Sequence, residues 1–370
     1  MCRQLFLEAP WRSRRQLPNF RTPNRLGIFT EHVLSLSPGK QNGLRALADA
    51  RGVIAALAID QRSALRKLFA KASGRDANEV PAEWLVQFKE KVSQFLTPYA
   101  SAILLDPEYG LPAAERRSKD AGLLLAYEQS GYDKTVPGRL PRLLDGFSAE
   151  RLKNAGADAV KVLLYYSPSS ETNVNAHKRA WVTRVGEECR EADLPFFLEI
   201  VSYHDQMDEK SVEFARIKPE VVTRSIEEFC KASYAVDVLK VGVPVNVNFV
   251  ESATLPHSQA IYSREEARAH FKRASQAASI PFIYLSEGVS NQKFAEALTL
   301  AAEANSDFSG VLCGRAIWQE GVPIFVERGV PALDDWLQEH GVRNIRNVNS
   351  HLAAARPWFE RVGATPSAKG

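Results

Sequence analysis

The amino-acid sequence predicts a (β/α)8 barrel, and three observations support this prediction. Short apolar runs alternate with longer amphipathic stretches from about residue 52 onward, the runs number eight, and together they occupy roughly 260 residues. Near-continuous apolar strands separated by helices form parallel sheets that are buried on both faces. No G-x-G-x-x-G motif follows any run, which disfavours the alternative of an open, nucleotide-binding sheet.

The eight apolar runs are the candidate strands. They are GVIAALAID (52–60), SAILLD (101–106), GLLLAYE (122–128), DAVKVLLYY (158–166), PFFLEIVSY (195–203), VDVLKVGVPV (236–245), PFIYLSEG (281–288) and SGVLCGR (309–315). The helical candidates between them carry apolar residues at helical spacing, and they cover 82–96, 176–192, 219–232, 263–278 and 291–304. Ser263 followed by Glu266 predicts a capping-box start for the helix at 263–278.

Both ends of the chain are predicted to lie outside the barrel, which we place at 41–330. Residues 1–40 form a basic extension without fixed structure, because residues 1–25 hold six arginines against one acid. Removing this +5 from the net charge of +3 leaves −2 for the rest, so no nucleic-acid surface is expected. Segments 335–342 and 351–362, within the C-terminal part 331–370, are predicted to be helices that pack on the barrel.

Composition excludes several other classes of protein. The extension has no long apolar stretch of the kind that directs secretion, and no run of some 18 apolar residues predicts a membrane span. The four cysteines are scattered, with no CxxC pair and no histidine cluster at ligand spacing. Neither a structural metal site nor a disulfide framework is therefore expected, and a reducing, cytoplasmic setting fits.

Strand parity places four ionisable groups inside the predicted barrel. In VDVLKVGVPV (236–245) the odd-numbered apolar positions face the helices, so Lys240 faces inward. The same alternation directs Asp60 of the first run, Lys161 of the fourth and Glu199 of the fifth toward the interior. Inward residues near the C-terminal ends of barrel strands are where catalytic groups lie.

Two lysines beside a carboxylate predict imine chemistry. A lysine attacks a carbonyl only as the free amine, which burial and a neighbouring cation favour. We expect Lys240 to be the nucleophile, Lys161 the neighbouring cation and Glu199 the proton carrier. Three alternatives stay open: a structural ion-pair network, a metal-dependent barrel lyase or isomerase with Glu199 and Asp60 as magnesium ligands, and a non-catalytic phosphosugar-binding regulator.

The seventh and eighth runs end in turns suited to binding phosphate. They read LSEGVS (285–290) and LCGRAIW (312–318), and barrels commonly bind phosphate with the loops after these strands. The candidate phosphate ligands are the hydroxyl of Ser286, the main-chain N–H groups at Gly288 and Gly314, and the guanidinium of Arg315. An ordinary turn with a surface arginine is the alternative.

Six motifs in order resemble the tagatose-1,6-bisphosphate aldolase family of class I aldolases. They are LAIDQRSALRKLF (57–69), AVKVLLYYSP (159–168), FFLEIVSY (196–203), DVLKVGVPV (237–245), IYLSEGVS (283–290) and GVLCGRAIW (310–318), and they extend over about residues 40–330. The resemblance implies a (β/α)8 barrel without metal or other cofactor. It also implies cleavage of a ketose bisphosphate to dihydroxyacetone phosphate and glyceraldehyde 3-phosphate. The expected partner is thus a small phosphosugar, and a homo-oligomer is left open.

Matching motifs carry the family's site residues onto this chain. The resemblance implies that Lys240 is the Schiff-base lysine and that Lys161 and Glu199 are further catalytic residues. Asp60, Gln61 and Arg62 match the family's DQR element, in which Asp60 would orient a hydroxyl or the lysine and Arg62 would meet the distal anion. Related enzymes that share these motifs cleave 6-deoxy-6-sulfofructose 1-phosphate, so the motifs define the dihydroxyacetone phosphate half of the substrate better than the aldehyde half.

Two positions depart from the resembled pattern. The family usually has a glutamate where this chain has Gly242, two residues after Lys240 and on the same strand face. It usually has a small residue where this chain has Glu287, next to the expected phosphate turn. The reaction class is therefore predicted more firmly than the sugar.

Overall fold

The barrel forms as the sequence predicts. The computed structural model describes residues 36–133, 135–252 and 260–363, so the arginine-rich residues 1–25 lie outside the described residues. Each apolar run contributes one strand, and the eight parallel strands form a closed barrel in sequence order, with β8 paired to β1. The strands are β1 (Ile54–Ala58), β2 (Ala102–Leu105), β3 (Gly122–Ala126), β4 (Ala159–Tyr166), β5 (Phe196–Ser202), β6 (Val238–Gly242), β7 (Phe282–Leu285) and β8 (Gly310–Cys313).

Helices follow the strands and cover the outside of the barrel. They are α1 (Pro38–Leu47), α2 (Ser63–Ser73), α3 (Ala82–Leu96), α4 (Leu111–Ala114), α5 (Ala149–Asn154), α6 (Thr172–Glu191), α7 (Val212–Phe229), α8 (Arg264–Ala277), α9 (Asn291–Glu303), α10 (Arg315–Trp318), α11 (Gly321–Trp336) and α12 (Val342–Ser350). Ser263 caps α8 in the predicted capping box with Glu266. Across the described ranges, no helix is long and apolar enough to cross a membrane.

The helix α7 begins seven residues earlier than its predicted start at 219. Its N-cap is Ser211, and Pro219 lies inside the helix rather than at its first turn. Proline has no N–H, so it leaves the carbonyl of Ala215, four residues earlier, without its helical partner. The hydroxyl of Tyr262 donates to this carbonyl at 2.8 Å. A distant side chain thus makes a proline tolerable where sequence reasoning places a helix boundary.

Side-chain alternation divides the core into an interior and an exterior set. Residues of one parity pack inside the barrel, and those of the other parity pack against the helices. The N-terminal end of the barrel interior is covered by α1, which contacts β3 and β4. Its residues Leu44 and Leu47 share the interior cluster with Trp358. The inward set includes Ala56, Ala58, Leu104, Leu124, Ala126, Phe197, Val238, Ile283 and Leu312.

The ends of the described barrel differ in detail from the prediction. The helix α1 begins at Pro38, three residues before the predicted barrel boundary, and Lys40 pairs with the buried Asp237 at 2.7 Å. The helices α11 and α12 pack on α2, α3 and α9. The predicted helix at 351–362 is wrong: the chain there forms a turn and a short 3-10 helix, Trp358–Val362, because Pro357 cannot continue a helix.

Candidate active site

Lys161 lies at the centre of a cluster of carboxylates inside the barrel. Its ammonium is 2.8 Å from Asp60 Oδ2, 2.8 Å from Glu128 Oε1 and 2.7 Å from Glu199 Oε2. The Lys161 side chain is fully buried, and Asp60, Glu128 and Glu199 are only 6–7% exposed. The strands β1, β4 and β5 and the end of β3 thus direct their ionisable side chains to one point, as the parity argument predicts for three of the four groups.

Glu199 connects the two lysines. Glu199 and Lys240 are directly paired across β5 and β6, and Glu199 Oε2 lies 2.9 Å from Lys240 Nζ. The same oxygen is 2.7 Å from Lys161 Nζ. Lys240 is itself only 3% exposed. The structure therefore brings together all four residues predicted as catalytic: Lys240, Glu199, Lys161 and Asp60.

The charges in the cluster shift the protonation of its members. Burial alone would lower the pKa of Lys161, but Asp60, Glu128 and Glu199 raise it well above the usual lysine value. Burial would raise the pKa of Asp60, yet Lys161 and Lys240 hold it below the usual range. The pKa of Glu199 is lowered in the same way. Lys161 therefore remains an ammonium, and Asp60 and Glu199 remain carboxylates, at neutral pH.

Glu128 is a member of the cluster that the sequence analysis missed. Burial raises the pKa of Glu128, although Lys161 and Arg62 partly oppose this shift. Its second oxygen, Oε2, is buried and makes no hydrogen bond within the described part of the chain, while the residue lines the central cavity. Glu128 ends the third apolar run, and the alternation that directs Leu124 and Ala126 inward would have directed it inward too.

Gln61 and Arg62 contact the same cluster. Gln61 Nε2 donates to Asp60 Oδ1 at 3.0 Å. Arg62 is 6% exposed; one N–H group donates to Glu108 at 2.6 Å and another to the main-chain carbonyl of Glu128 at 2.7 Å. Arg62 also lines the cavity. Its contact with a distal anion stays a prediction.

A third buried lysine, Lys89, supports the main chain around Asp60. Lys89 Nζ donates to the carbonyls of Ile59 at 2.7 Å and Gln61 at 3.1 Å, and it also pairs with Asp106. Burial lowers the pKa of Lys89, although Asp106 opposes the shift. These carbonyls flank Asp60, so Lys89 fixes the main chain that presents it. Asp106 ends the second apolar run at an inward position, where strand parity would have found it.

A cavity of about 1180 Å³ opens at the C-terminal end of the barrel. Asp60, Glu128 and Glu199 line one part of it, and Ser286, Gly288 and Arg315 line another. Gly288 has φ +76°, and a Cβ there would lie 2.6 Å from Arg315 Cζ, so the guanidinium packs directly on its backbone. Gly314 is not part of the cavity lining; it lies against the carbonyl of Ala58, 2.5 Å from where a Cβ would be.

The ammonium of Lys161 occupies the position among the carboxylates that a metal ion would otherwise take. Over the ranges that the structure describes, no group of three or more His, Cys, Asp or Glu side chains is arranged to hold a metal ion. The cluster can transfer a proton between a lysine and a carboxylate, and it can surround a carbonyl compound with charged hydrogen-bond donors and acceptors.

A closed parallel barrel with lysines and carboxylates clustered in its interior has the architecture of a TIM-barrel enzyme. The chain belongs to the DeoC/LacD family of aldolases, whose family model matches residues 54–320. It is similar to "Tagatose 1,6-diphosphate aldolase 2" of Enterococcus faecalis, at 51% identity over 89% of this chain and 98% of the relative. "Tagatose 1,6-diphosphate aldolase" of Listeria monocytogenes is 45% identical over 90% of this chain and 97% of the relative.

Solved aldolase structures share the fold. A fructose-bisphosphate aldolase from Plasmodium falciparum has a TM-score of 0.58 at 14% identity, covering 88% of this chain and 94% of that one. A Schiff-base-forming fructose-1,6-bisphosphate aldolase has a TM-score of 0.50 at 13% identity, covering 83% and 97%. At these identities the likeness concerns the barrel alone.

Proposed function

We propose that the chain is a class I aldolase that cleaves a ketose 1,6-bisphosphate, such as tagatose 1,6-bisphosphate, to dihydroxyacetone phosphate and glyceraldehyde 3-phosphate. The observation that carries the proposal is the single oxygen of Glu199 that lies 2.7 Å from Lys161 and 2.9 Å from Lys240. A carboxylate in this place can take a proton from an attacking amine and return it later. Relatives named as tagatose 1,6-diphosphate aldolases support the choice of sugar.

The carboxylate partners decide which lysine is the nucleophile. Lys161 contacts three carboxylates, which raise its pKa well above the usual value, so it stays charged and cannot attack a carbonyl. For Lys240, Glu199 is the one carboxylate within ion-pair distance among the described residues. Glu199 thus lies where it can relay a proton to and from Lys240 Nζ during the reaction, while Lys161 supplies a fixed positive charge beside it.

The reaction follows from these roles. Lys240 Nζ adds to the C2 ketone, and Glu199 moves a proton from nitrogen to oxygen so that water leaves and a protonated imine forms. A base then removes the C4 hydroxyl proton, and the C3–C4 bond breaks with its electron pair entering the imine. The aldehyde departs and an enamine remains. Protonation at C3 and addition of water at C2 release dihydroxyacetone phosphate and restore Lys240.

The turns after β7 and β8 are the proposed site of the C1 phosphate. Ser286, Gly288 and Arg315 line the cavity together, and Arg315 packs on the bare backbone of Gly288. A guanidinium with a hydroxyl and exposed main-chain N–H groups suits a phosphate dianion.

The distal phosphate is assigned to basic side chains in the loops that follow β3 and β5. Arg62 already donates to Glu108 and to the carbonyl of Glu128, whereas Arg139, Arg142 and Lys210 line the cavity from the segments after β3 and β5. Arg139 lies over the ring of Tyr203 at 4.5 Å, and its Nη1 pairs with Glu209 at 2.6 Å while 23% of the side chain stays exposed. The aromatic ring orients the guanidinium, and a bound phosphate would compete with Glu209 for it.

Imine trapping tests the proposal. Borohydride reduction in the presence of dihydroxyacetone phosphate, followed by peptide mass mapping, should modify Lys240 in the wild-type protein and nothing in Lys240→Arg, because a guanidinium cannot form an imine. Lys178→Arg is the matched control: Lys178 is fully buried, but its ammonium donates to the hydroxyl of Tyr203 at 2.9 Å rather than pairing with Glu199, so this variant should label like wild type. Label on Lys161 in Lys240→Arg would reverse the assignment of the two lysines.

The wild-type protein also distinguishes the imine mechanism from its two alternatives, a metal-dependent lyase and a non-catalytic regulator. Cleavage of tagatose 1,6-bisphosphate that persists in excess chelator supports the imine route, whereas loss of activity would indicate the metal-dependent lyase. Binding without turnover and without label would indicate a regulator. We also propose a cytoplasmic location, which the free thiols of Cys189, Cys230 and Cys313 support. Assembly into a homo-oligomer stays a prediction for sedimentation analysis.

A further inference from the structure

Glu287 reaches from the turn after β7 into the space above Gly242 on β6. A Cβ at Gly242 would lie 2.4 Å from Glu287 Oε1 and 3.0 Å from its carboxyl carbon, and the three nearest atoms all belong to Glu287. Real Cβ atoms do not come within 2.4 Å of an oxygen, so a side chain at position 242 would require the carboxylate at the flexible end of Glu287 to move away. The carboxylate of residue 287 thus occupies the volume that any side chain at position 242 would need.

The Glu287 main chain adopts an unusual conformation. Its φ is +50°, a region that non-glycine residues enter at an energetic cost. The next residue, Gly288, has φ +76°, and the guanidinium of Arg315 packs against its backbone. The strained residue therefore lies within the turn that borders the proposed phosphate site, between Ser286 and Gly288.

The carboxylate of Glu287 is the counter-ion of a buried lysine. Glu287 Oε2 lies 2.5 Å from Lys218 Nζ, and the Lys218 side chain on α7 is only 7% exposed. Within the ranges that the structure describes, Glu287 is the one hydrogen-bond acceptor of this ammonium. An ammonium buried without a partner is costly, and both residues line the same cavity as Arg315.

We propose that Gly242 and Glu287 form one exchangeable unit, in which a single carboxylate neutralises Lys218 and can be supplied either from the β7 turn or from β6. Glu287 is then a positioning residue: it fixes Lys218 and the Ser286–Gly288 turn, and it thereby holds the groups that bind the C1 phosphate in place. Gly242 is glycine because Glu287 needs the room. This inference rests on the proposed function for the identity of the bound phosphate.

A four-member variant set tests the exchange: wild type, Glu287→Gly, Gly242→Glu and Gly242→Glu/Glu287→Gly. Glycine at 287 accepts the positive φ, so this variant removes the carboxylate without straining the turn. Loss of a charge-assisted contact is worth about tenfold to a hundredfold. We expect Glu287→Gly to raise KM for the bisphosphate at least tenfold with kcat within threefold. Gly242→Glu alone should be as poor or poorer, because two carboxylates would compete for one ammonium.

The double variant decides the question. Moving the carboxylate to β6 should restore KM to within threefold of wild type, together with the melting temperature. A double variant no better than the worse single variant would overturn the proposal, as would an unchanged KM in Glu287→Gly. If a single variant folds poorly, Gly242→Ala compared with Gly242→Ala/Glu287→Gly supplies a second cycle: the alanine should be harmful only while Glu287 is present.

Phosphate binding keeps this test separate from the aldolase proposal. The dissociation constant of inorganic phosphate, measured by calorimetry on the same four proteins, should follow the KM pattern without requiring turnover. A wild-type protein that forms no imine would refute the aldolase proposal and leave the exchange measurable. Normal imine trapping with no recovery of phosphate affinity in the double variant would refute the exchange alone.

Discussion

Replacing Lys161 with methionine removes the charge that three buried carboxylates share. Methionine keeps most of the aliphatic stem, so packing changes little while the ammonium disappears. Asp60, Glu128 and Glu199 each lie within 2.8 Å of that ammonium, and the side chain has no exposed surface. Lys240 and Arg62 are the cations left to compensate these three acids. The substitution therefore leaves uncompensated negative charge in the barrel.

The magnitude follows from the burial of these pairs. Breaking a buried ion pair by removing one partner costs about 3–5 kcal/mol. The entropy of unfolding is about 2.1 cal/mol/K per residue, which for a domain of about 330 residues gives about 0.7 kcal/mol/K. The melting temperature of Lys161→Met should therefore fall by about 4–7 °C at pH 7.5. Lys91→Met is the control: Lys91 pairs with Asp334 at 2.8 Å but is 26% exposed, so its loss should cost under about 1 kcal/mol.

The effect should depend on pH. The raised pKa of Lys161 contributes stability that is fully present below the unfolded lysine pKa near 10.4 and is lost only as pH rises through the folded value. The lowered pKa values of Asp60 and Glu199 contribute stability that is present above about pH 4 and is lost as pH falls through their folded values. In the variant these carboxylates can be protonated more easily. Calorimetry should thus find the deficit shrinking below about pH 5; a deficit under 1 °C at pH 7.5, or one that grows in acid, would refute the reasoning.

Two further predictions concern Arg315 and Lys178. Arg315→Ala should weaken binding of the C1-phosphorylated substrate about tenfold to a hundredfold, and steady-state KM values should show a smaller loss for a substrate without that phosphate; equal losses would place the phosphate elsewhere. Burial lowers the pKa of Lys178 to about 8, so the folded protein binds fewer protons than the unfolded chain between about pH 8 and 10.4, and stability should rise with pH there. Lys178→Met should abolish that rise in chemical denaturation, and an unchanged slope would contradict the shifted pKa.

Strand periodicity predicted the barrel because each strand is buried on both faces, so its apolar run is visible without tertiary information. Parity then predicted that Lys161, Glu199 and Lys240 face inward. The same alternation extends to Glu128 at the end of the third run, although the sequence prediction did not include it. The helix start at Ser211 was hidden for a different reason: Pro219 is tolerated there through a hydrogen bond from Tyr262, 47 residues away from its acceptor. No local pattern contains such a contact.

The contact between Gly242 and Glu287 illustrates a second limit. Taken singly, a glycine on β6 and a glutamate after β7 are two unexplained departures from the family pattern. The structure places the carboxylate of Glu287, which pairs with Lys218, in the space that a side chain at position 242 would occupy. Pairing across 45 positions of sequence depends on strand neighbours and turn geometry, which the composition of either segment does not encode.

Carboxylate contacts distinguish the two lysines for which the sequence predicts different roles. Both lysines face inward on barrel strands, and both touch Glu199. Lys161 meets two additional acids, so its charge is held firmly and its removal should destabilise the fold. Lys240 meets one acid, Glu199, which also contacts Lys161, so replacing Lys240 should cost less stability. The same distribution of carboxylates therefore underlies two predictions: the proposal that Lys240 rather than Lys161 is the nucleophile, and the expectation that replacing Lys161 destabilises the fold more than replacing Lys240.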